Sequence, residues 1–131
     1  MATSLLFTGS SFATLTTVNS TATTTILPSD STYDRRIYGI SQTQTSATAS
    51  TATVLLNNGS SNFSIGLGPA AGTSINVTTD IFGNSTLAPV FQKQKDANGV
   101  PYFNLPTGWS ILVTQTTNAT INYLVFGEKY N

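Results

Sequence analysis

Asp30, Asp34, Asp80, Asp96 and Glu128 are the groups of this chain that could carry acid–base chemistry. The sequence has no His and no Cys, which removes the common general base, thiolate nucleophiles, disulfides and the usual zinc sites. Ser and Thr are abundant, but a hydroxyl nucleophile needs a base to activate it. A carboxylate pair can cleave a glycosidic bond only when both groups face one cleft, about 5 to 10 Å apart. Asp30 and Asp34 instead bracket "STY" in an apparent loop beside Arg35 and Arg36, where turn formation and surface ion pairing account for them. "DANG", residues 96–99, lacks the alternating acidic ligands of a calcium loop. The residues give no catalytic reading, and no metal or cofactor is expected.

A binding surface is the other chemistry on offer. Trp109, Tyr102, Phe103 and Asn104 lie in "PYFNLPTGW", a composition that suits a saccharide platform. Trp109, however, opens a strand in which it alternates onto the face of Ile111 and Val113. That period turns Trp109 toward a core and leaves Tyr102 as the better surface contact. Asn-x-Ser/Thr sequons occur at Asn19, Asn58, Asn62, Asn76, Asn84 and Asn118. In a chain so rich in these residues, with no secretion signal, they read as accidental.

The elements that would position these groups are almost all strands. Residues 11–18 and 21–27 are rich in β-branched side chains and flank a turn at Asn19-Ser20. Residues 35–43, "RRIYGISQT", alternate Arg36, Tyr38 and Ile40 against Ile37, Gly39 and Ser41. Residues 50–57 run into Asn57-Asn58-Gly59-Ser60, a hairpin signal because Asn and Gly tolerate positive φ. Strands follow at 62–67, 73–79 and 87–95, with a turn at Asp96-Gly99 and Pro89 and Pro101 at strand starts or edges. Residues 109–116 and 119–130 are expected to close the chain as a hairpin around Asn118, and 44–53 has the look of a low-complexity linker but reads by preference as a loop and strand with small side chains facing solvent. The fold class is all-β, a sandwich of about eight strands, jelly-roll-like or immunoglobulin-like.

Length bounds the rest. A chain of 131 residues suits one domain, able to bury roughly two-thirds of its unfolded surface. Residues 29–131 read as the sandwich. Residues 1–28 are either strands of the same domain or an extended arm that pairs with a neighbour. Charged residues are 8% of the chain and sum to zero, against the roughly 25% usual for soluble domains. Such a surface offers no field for nucleic acid or acidic membrane, and its lack of charge favours self-association. The first 18 residues hold one short apolar run with no basic region before it, so neither a signal peptide nor a membrane span is expected, and synthesis in the cytoplasm is.

"TATTTILPSDSTYDRRIYGISQTQTSATASTATVLLNNGSS" and "LPTGWSILVTQTTNATINYLVFGEKYN" together resemble small β-sandwich virion proteins of tailed bacteriophages. The likeness lies in a Thr-rich strand, a Pro turn and a strand like "RRIYGI", then in a Leu-Pro-x-Gly turn and a last strand ending in Gly-Glu-x-Tyr. It covers roughly residues 15 to 130. The charged turn at Tyr33–Arg36 and the longer region around 79–104 depart from that pattern. The resemblance implies a structural role, most often a capsid decoration or cement protein on the virion surface, made in the bacterial host. It implies the major capsid protein or other virion subunits as partners and a homo-oligomer, a trimer by preference; the alternative is a receptor- or glycan-binding part of a fibre or tail. Leu5, Leu6 and Phe7, with Tyr33, Arg35 and Arg36, are the candidate capsid or subunit contacts; Tyr102 and Trp109 are the candidate ligand contacts.

Overall fold

The computed structural model describes residues 10–67, 78–80 and 94–130. These form ten strands: β1 (Ser10–Val18), β2 (Thr24–Leu27), β3 (Asp34–Gln44), β4 (Ala52–Asn57), β5 (Asn62–Leu67), β6 (Thr78–Asp80), β7 (Gln94–Lys95), β8 (Pro101–Leu105), β9 (Ser110–Gln115) and β10 (Ile121–Tyr130). One sheet runs β1-β10-β3-β8-β7, with β6 also on β3; the second runs β2-β9-β4-β5. All pairs are antiparallel. The two sheets pack face to face, so the chain is an all-β sandwich.

The pairing is nested. β4 pairs β5 across the Asn58–Ser61 turn, β3 pairs β8, β2 pairs β9 and β1 pairs β10. A long two-stranded ribbon has thus been rolled so that its turns alternate between sheets, which is the topology of a jelly roll. Of the two architectures expected, this strand order selects the first. The eight nested strands match the number expected, and β6 and β7 are short additions. β1 and β2 are the first strands of the two sheets, β1 pairing β10 and β2 pairing β9 of the same chain. Leu5, Leu6 and Phe7 lie outside the described residues, as does most of the expected strands at 73–79 and 87–95.

Nesting overturns one local expectation. β9 and β10 do not pair with each other; β9 joins β4 and β2, and β10 joins β1 and β3. Residues 116–120 cross between sheets, fixed by Gln115, whose Nε2 donates to the carbonyls of Ala119 (2.9 Å) and Thr117 (3.3 Å). Tyr123 donates its hydroxyl to Gln115 Oε1 at 2.8 Å. A short polar connection looks the same in sequence whether it folds a strand back or carries it to the facing sheet. The segment 44–53 also differs from expectation, since Ser50 and Ala52 are buried and the buried Gln44 donates its Nε2 to the carbonyls of Ser46 and Thr48.

The core follows the strand period. Ile37, Ile40, Val54, Leu105, Ile111, Val113, Ile121, Tyr123 and Val125 are fully buried between the sheets, each worth about 1.5–3 kcal/mol relative to exposure. One break in the period decides β3. Ile37 stands opposite Gly127 and Gly39 opposite Phe126, so Tyr38 is an extra residue in a β-bulge. Before it Arg35 and Ile37 face inward; after it Ile40, Gln42 and Gln44 do. Strict alternation, which places Ile40 with Arg36 and Tyr38, fails at this point.

The bulge brings backbone against backbone. A Cβ on Gly127 would collide with the Arg36 carbonyl oxygen, and one on Gly39 with the Phe126 ring. Gly59, at φ 98°, has nothing near its missing Cβ. Gly127→Ala is therefore expected to cost about 3 kcal/mol, the upper end for overpacking, and Gly59→Ala only about 1 kcal/mol for its left-handed backbone. Denaturant unfolding of the two variants checks the order.

Candidate functional site

The side chains with chemical character gather on the outer face of the larger sheet, where β3, β8 and β10 lie side by side. Alternation puts Arg36 and Tyr38 of β3, Tyr102 and Asn104 of β8, and Glu128 and Tyr130 of β10 on this face. The Arg36 guanidinium sits 4.8 Å from the Tyr102 ring centroid and 5.0 Å from that of Tyr130, within cation–π range. Its Nη1 is 3.6 Å from Glu128 Oε1. Tyr38 donates its hydroxyl toward Glu128 Oε1 (3.2 Å) and Asp96 Oδ2 (3.4 Å), and its ring centroid is 5.9 Å from that of Tyr102. Tyr130 donates to Asn104 Oδ1 at 2.6 Å. Arg36, Tyr38, Asp96, Ala97, Asn98 and Glu128 line a shallow concavity of about 180 Å³.

The electrostatics follow from these contacts. Burial and the two facing carboxylates push the Tyr38 phenol above its usual value, against the effect of Arg36. The backbone N–H groups of Val100 and Asn98 hold the Asp96 carboxyl below the usual range. Such a cluster can bind hydroxyls, amides or a cationic group. It has no nucleophile paired with a base, and no group of three or more His, Cys, Asp or Glu is placed to hold a metal among the described residues.

Arg35 and Tyr102 are not where the sequence reading puts them. Arg35 is 3% exposed; it points inward at one end of the sandwich and donates to the carbonyls of Pro28 and Trp109, both at 2.8 Å. It is a clamp between the 28–34 loop and the start of β9, with no face for a partner. Burial lowers its pKa and Asp30 opposes that. Tyr102 is on the outer face, as alternation requires, but is 8% exposed because Arg36 and Tyr38 cover it. Trp109 packs against the core and stacks on Phe63, with centroids 5.8 Å apart and an interplanar angle of 18°. Tyr33 is exposed, with Lys129 over its ring, and Arg36 is half-buried in the cluster above.

Asp30 and Asp34, the pair considered for hydrolysis, are turn-formers. Asp30 Oδ1 accepts from the N–H groups of Thr32 (2.8 Å) and Tyr33 (3.0 Å), and Oδ2 lies 3.2 Å from Lys129 Nζ. Asp34 Oδ1 accepts from the N–H and hydroxyl of Thr107, both at 2.8 Å. Sequence reasoning set Asn104 beside Tyr102 in a candidate platform but missed Tyr38 and Tyr130 as site members. The period-two spacing of Arg36/Tyr38, Tyr102/Asn104 and Glu128/Tyr130 was the available signal, but strand order was needed to bring the three pairs together.

No protein-family model matches the chain, and no curated protein matches it. Among the described residues no helix is long and apolar enough to cross a membrane.

Two outcomes follow from the two arginines and from Asp30. Arg35→Met leaves two carbonyls unpaired at the sandwich end and is expected to cost about 3 kcal/mol, whereas Arg36→Met costs about 1 kcal/mol; thermal or urea unfolding separates them. The Asp30 carboxyl is held at about 2 rather than 3.8 by the Thr32 and Tyr33 N–H groups and Lys129. A pKa depressed by folding contributes stability that is complete above the unfolded value and fades as pH falls through the folded one. The stability advantage of the native protein over Asp30→Asn should therefore be full above about pH 4 and vanish toward about pH 2, read from denaturation midpoints across that interval.

Proposed function

We propose that this protein is a structural component of a bacteriophage virion, a capsid decoration or cement protein that packs on the assembled head lattice. The observation that carries this reading is a charge-free apolar strip beside the Arg36–Tyr38 cluster. On the outer face of the larger sheet Leu15, 65% exposed, pairs with Leu124, and Phe126, 41% exposed, pairs with Ala13. Large exposed apolar side chains that share one sheet face mark surfaces that pack on something else. The strip includes β1, which among the described residues is an edge strand of nine residues with no Pro, Gly or charge, the kind of edge that accepts further contacts.

A lattice partner suits such a surface. A cement protein multiplies a modest contact over many identical sites, so avidity replaces any single strong interaction. The jelly roll recurs in viral coat and lectin domains, an analogy of fold that supports the reading without carrying it. A second reading, a receptor- or glycan-binding part of a fibre, draws on the 180 Å³ concavity with its phenol, amide and carboxylates. It no longer draws on Trp109 and Tyr102, which are packed.

Sedimentation with undecorated capsids tests the first reading. The native chain is expected to co-sediment, and Leu15→Asp, at a position already exposed, to weaken binding while keeping the unfolding midpoint within about 0.5 kcal/mol of native stability. Absence of co-sedimentation by the native chain sinks it, and binding on a glycan array would then favour the second.

A further inference from the structure

Asn58-Gly59 and Asn98-Gly99 are the two Asn-Gly pairs of the chain, and both lie in exposed hairpin turns. In this dipeptide the side-chain carboxamide can be attacked by the next backbone nitrogen, because Gly has no Cβ to obstruct the approach. Gly59 and Gly99 have φ of 98° and 79°, with open space around each. On sequence alone the two sites are equivalent.

The hydrogen bonds separate them. Asn58 Oδ1 accepts from the N–H groups of Ser60 (2.9 Å) and Ser61 (2.8 Å). The Gly59 N–H, the attacking group, donates to Asn57 Oδ1 at 2.7 Å, and Asn57 Nδ2 in turn donates to Asn62 Oδ1 at 2.6 Å. Electrophile and nucleophile are both locked by the turn. At the other site the Asn98 backbone N–H donates to Asp96 Oδ1 (2.9 Å) and the Gly99 N–H to the Asp96 carbonyl (3.0 Å). The Asn98 carboxamide itself has no hydrogen-bond partner among the described residues and stands on the wall of the concavity.

We propose that Asn98 is a site of spontaneous conversion from amide to acid, faster than Asn58 in the folded protein, and that the product recharges the concavity. The Gly99 nitrogen, giving its proton to solvent, forms a bond to Asn98 Cγ. The Cγ–Nδ2 bond breaks, and the amide nitrogen leaves as ammonia with a proton taken from water. Water then opens the cyclic imide at either carbonyl, leaving aspartate or isoaspartate at position 98; no oxidant or reductant is involved. Arg36 now faces three carboxylates rather than Asp96 and Glu128 alone. The isoaspartate form also lengthens the backbone of a turn whose N–H groups at 98, 99 and 100 all converge on Asp96, so the β7–β8 hairpin loosens.

Incubation of the full chain at mildly alkaline pH, followed by peptide mass mapping and isoaspartyl methyltransferase labelling, tests this against a parallel sample in denaturant. Conversion at position 98 is expected to run several-fold ahead of position 58 in the folded protein, and the gap to close once denaturant removes both turns. Equal rates in the folded protein, faster conversion at 58, no conversion at 98, or a gap that persists in denaturant would each overturn the proposal.

Discussion

Each strand of the roll pairs with the strand that lies equally far, in chain order, from the Asn58–Ser61 turn, and the other features of the molecule depend on that nesting. It seats β10 between β1 and β3 and β9 between β2 and β4, so backbone groups in the middle of both sheets are satisfied by partners remote in sequence. It also decides which polar side chains can be buried. The crossings between sheets leave carbonyls near the inner space at both ends of the sandwich. Arg35 takes up those of Pro28 and Trp109 at one end, and Gln115 with Gln44 takes up those of 117, 119, 46 and 48 at the other. A buried polar group is costly without such partners; here the partners exist because the chain changes sheets.

Much of this was legible in the sequence, and the failures have identifiable causes. Period-two patterning and turn chemistry located β3, β4, β5, β9 and β10, and the positive φ at Gly59, Gly99 and Gly108 occurs where Asn-Asn-Gly, Asn-Gly and Pro-Thr-Gly asked for it. Patterning speaks only for a strand's own two faces. It cannot say that residues 116–120 carry the chain to the other sheet, nor that Tyr38 is an extra residue that reverses the inward face of β3. Charge usually means exposure, so sequence alone puts Arg35 on the surface; two backbone carbonyls arranged by distant segments make its burial tolerable. The candidate site suffered most, since its members come from three strands whose adjacency is a property of the roll.

The scarcity of charge takes a definite spatial form. No charged residue occurs between Ile37 and Thr79 or between Ala97 and Gly127. The end of the sandwich built by residues 28–36, 104–109 and 128–130 carries most of the ions, while the smaller sheet presents Thr23, Thr25, Thr53 and Thr114 on its outer side. Short hydroxyls lose little rotamer freedom when covered by a flat surface, in contrast to Lys or Glu. The two outer faces are therefore unlike: one sets threonines around the Leu55–Leu112 pair, the other is divided between an aromatic–ionic cluster and an apolar strip.

The outermost pair of the roll joins Ser10–Val18 to Ile121–Tyr130 along nine consecutive positions. During synthesis β1 leaves the ribosome with nothing to bind, and it must wait until β10 has been made. β3 is in the same position on its longer edge, which β10 also covers. The half-made chain thus carries two long strand edges, that of β1 without any charge and that of β3 charged only at its first three residues, through most of its translation, and loops this long close slowly. A sequence so poor in charge has little to keep those edges apart from other nascent chains. The arrangement that seals the finished sandwich is also the one that makes its assembly dependent on the rate at which the distant strand arrives.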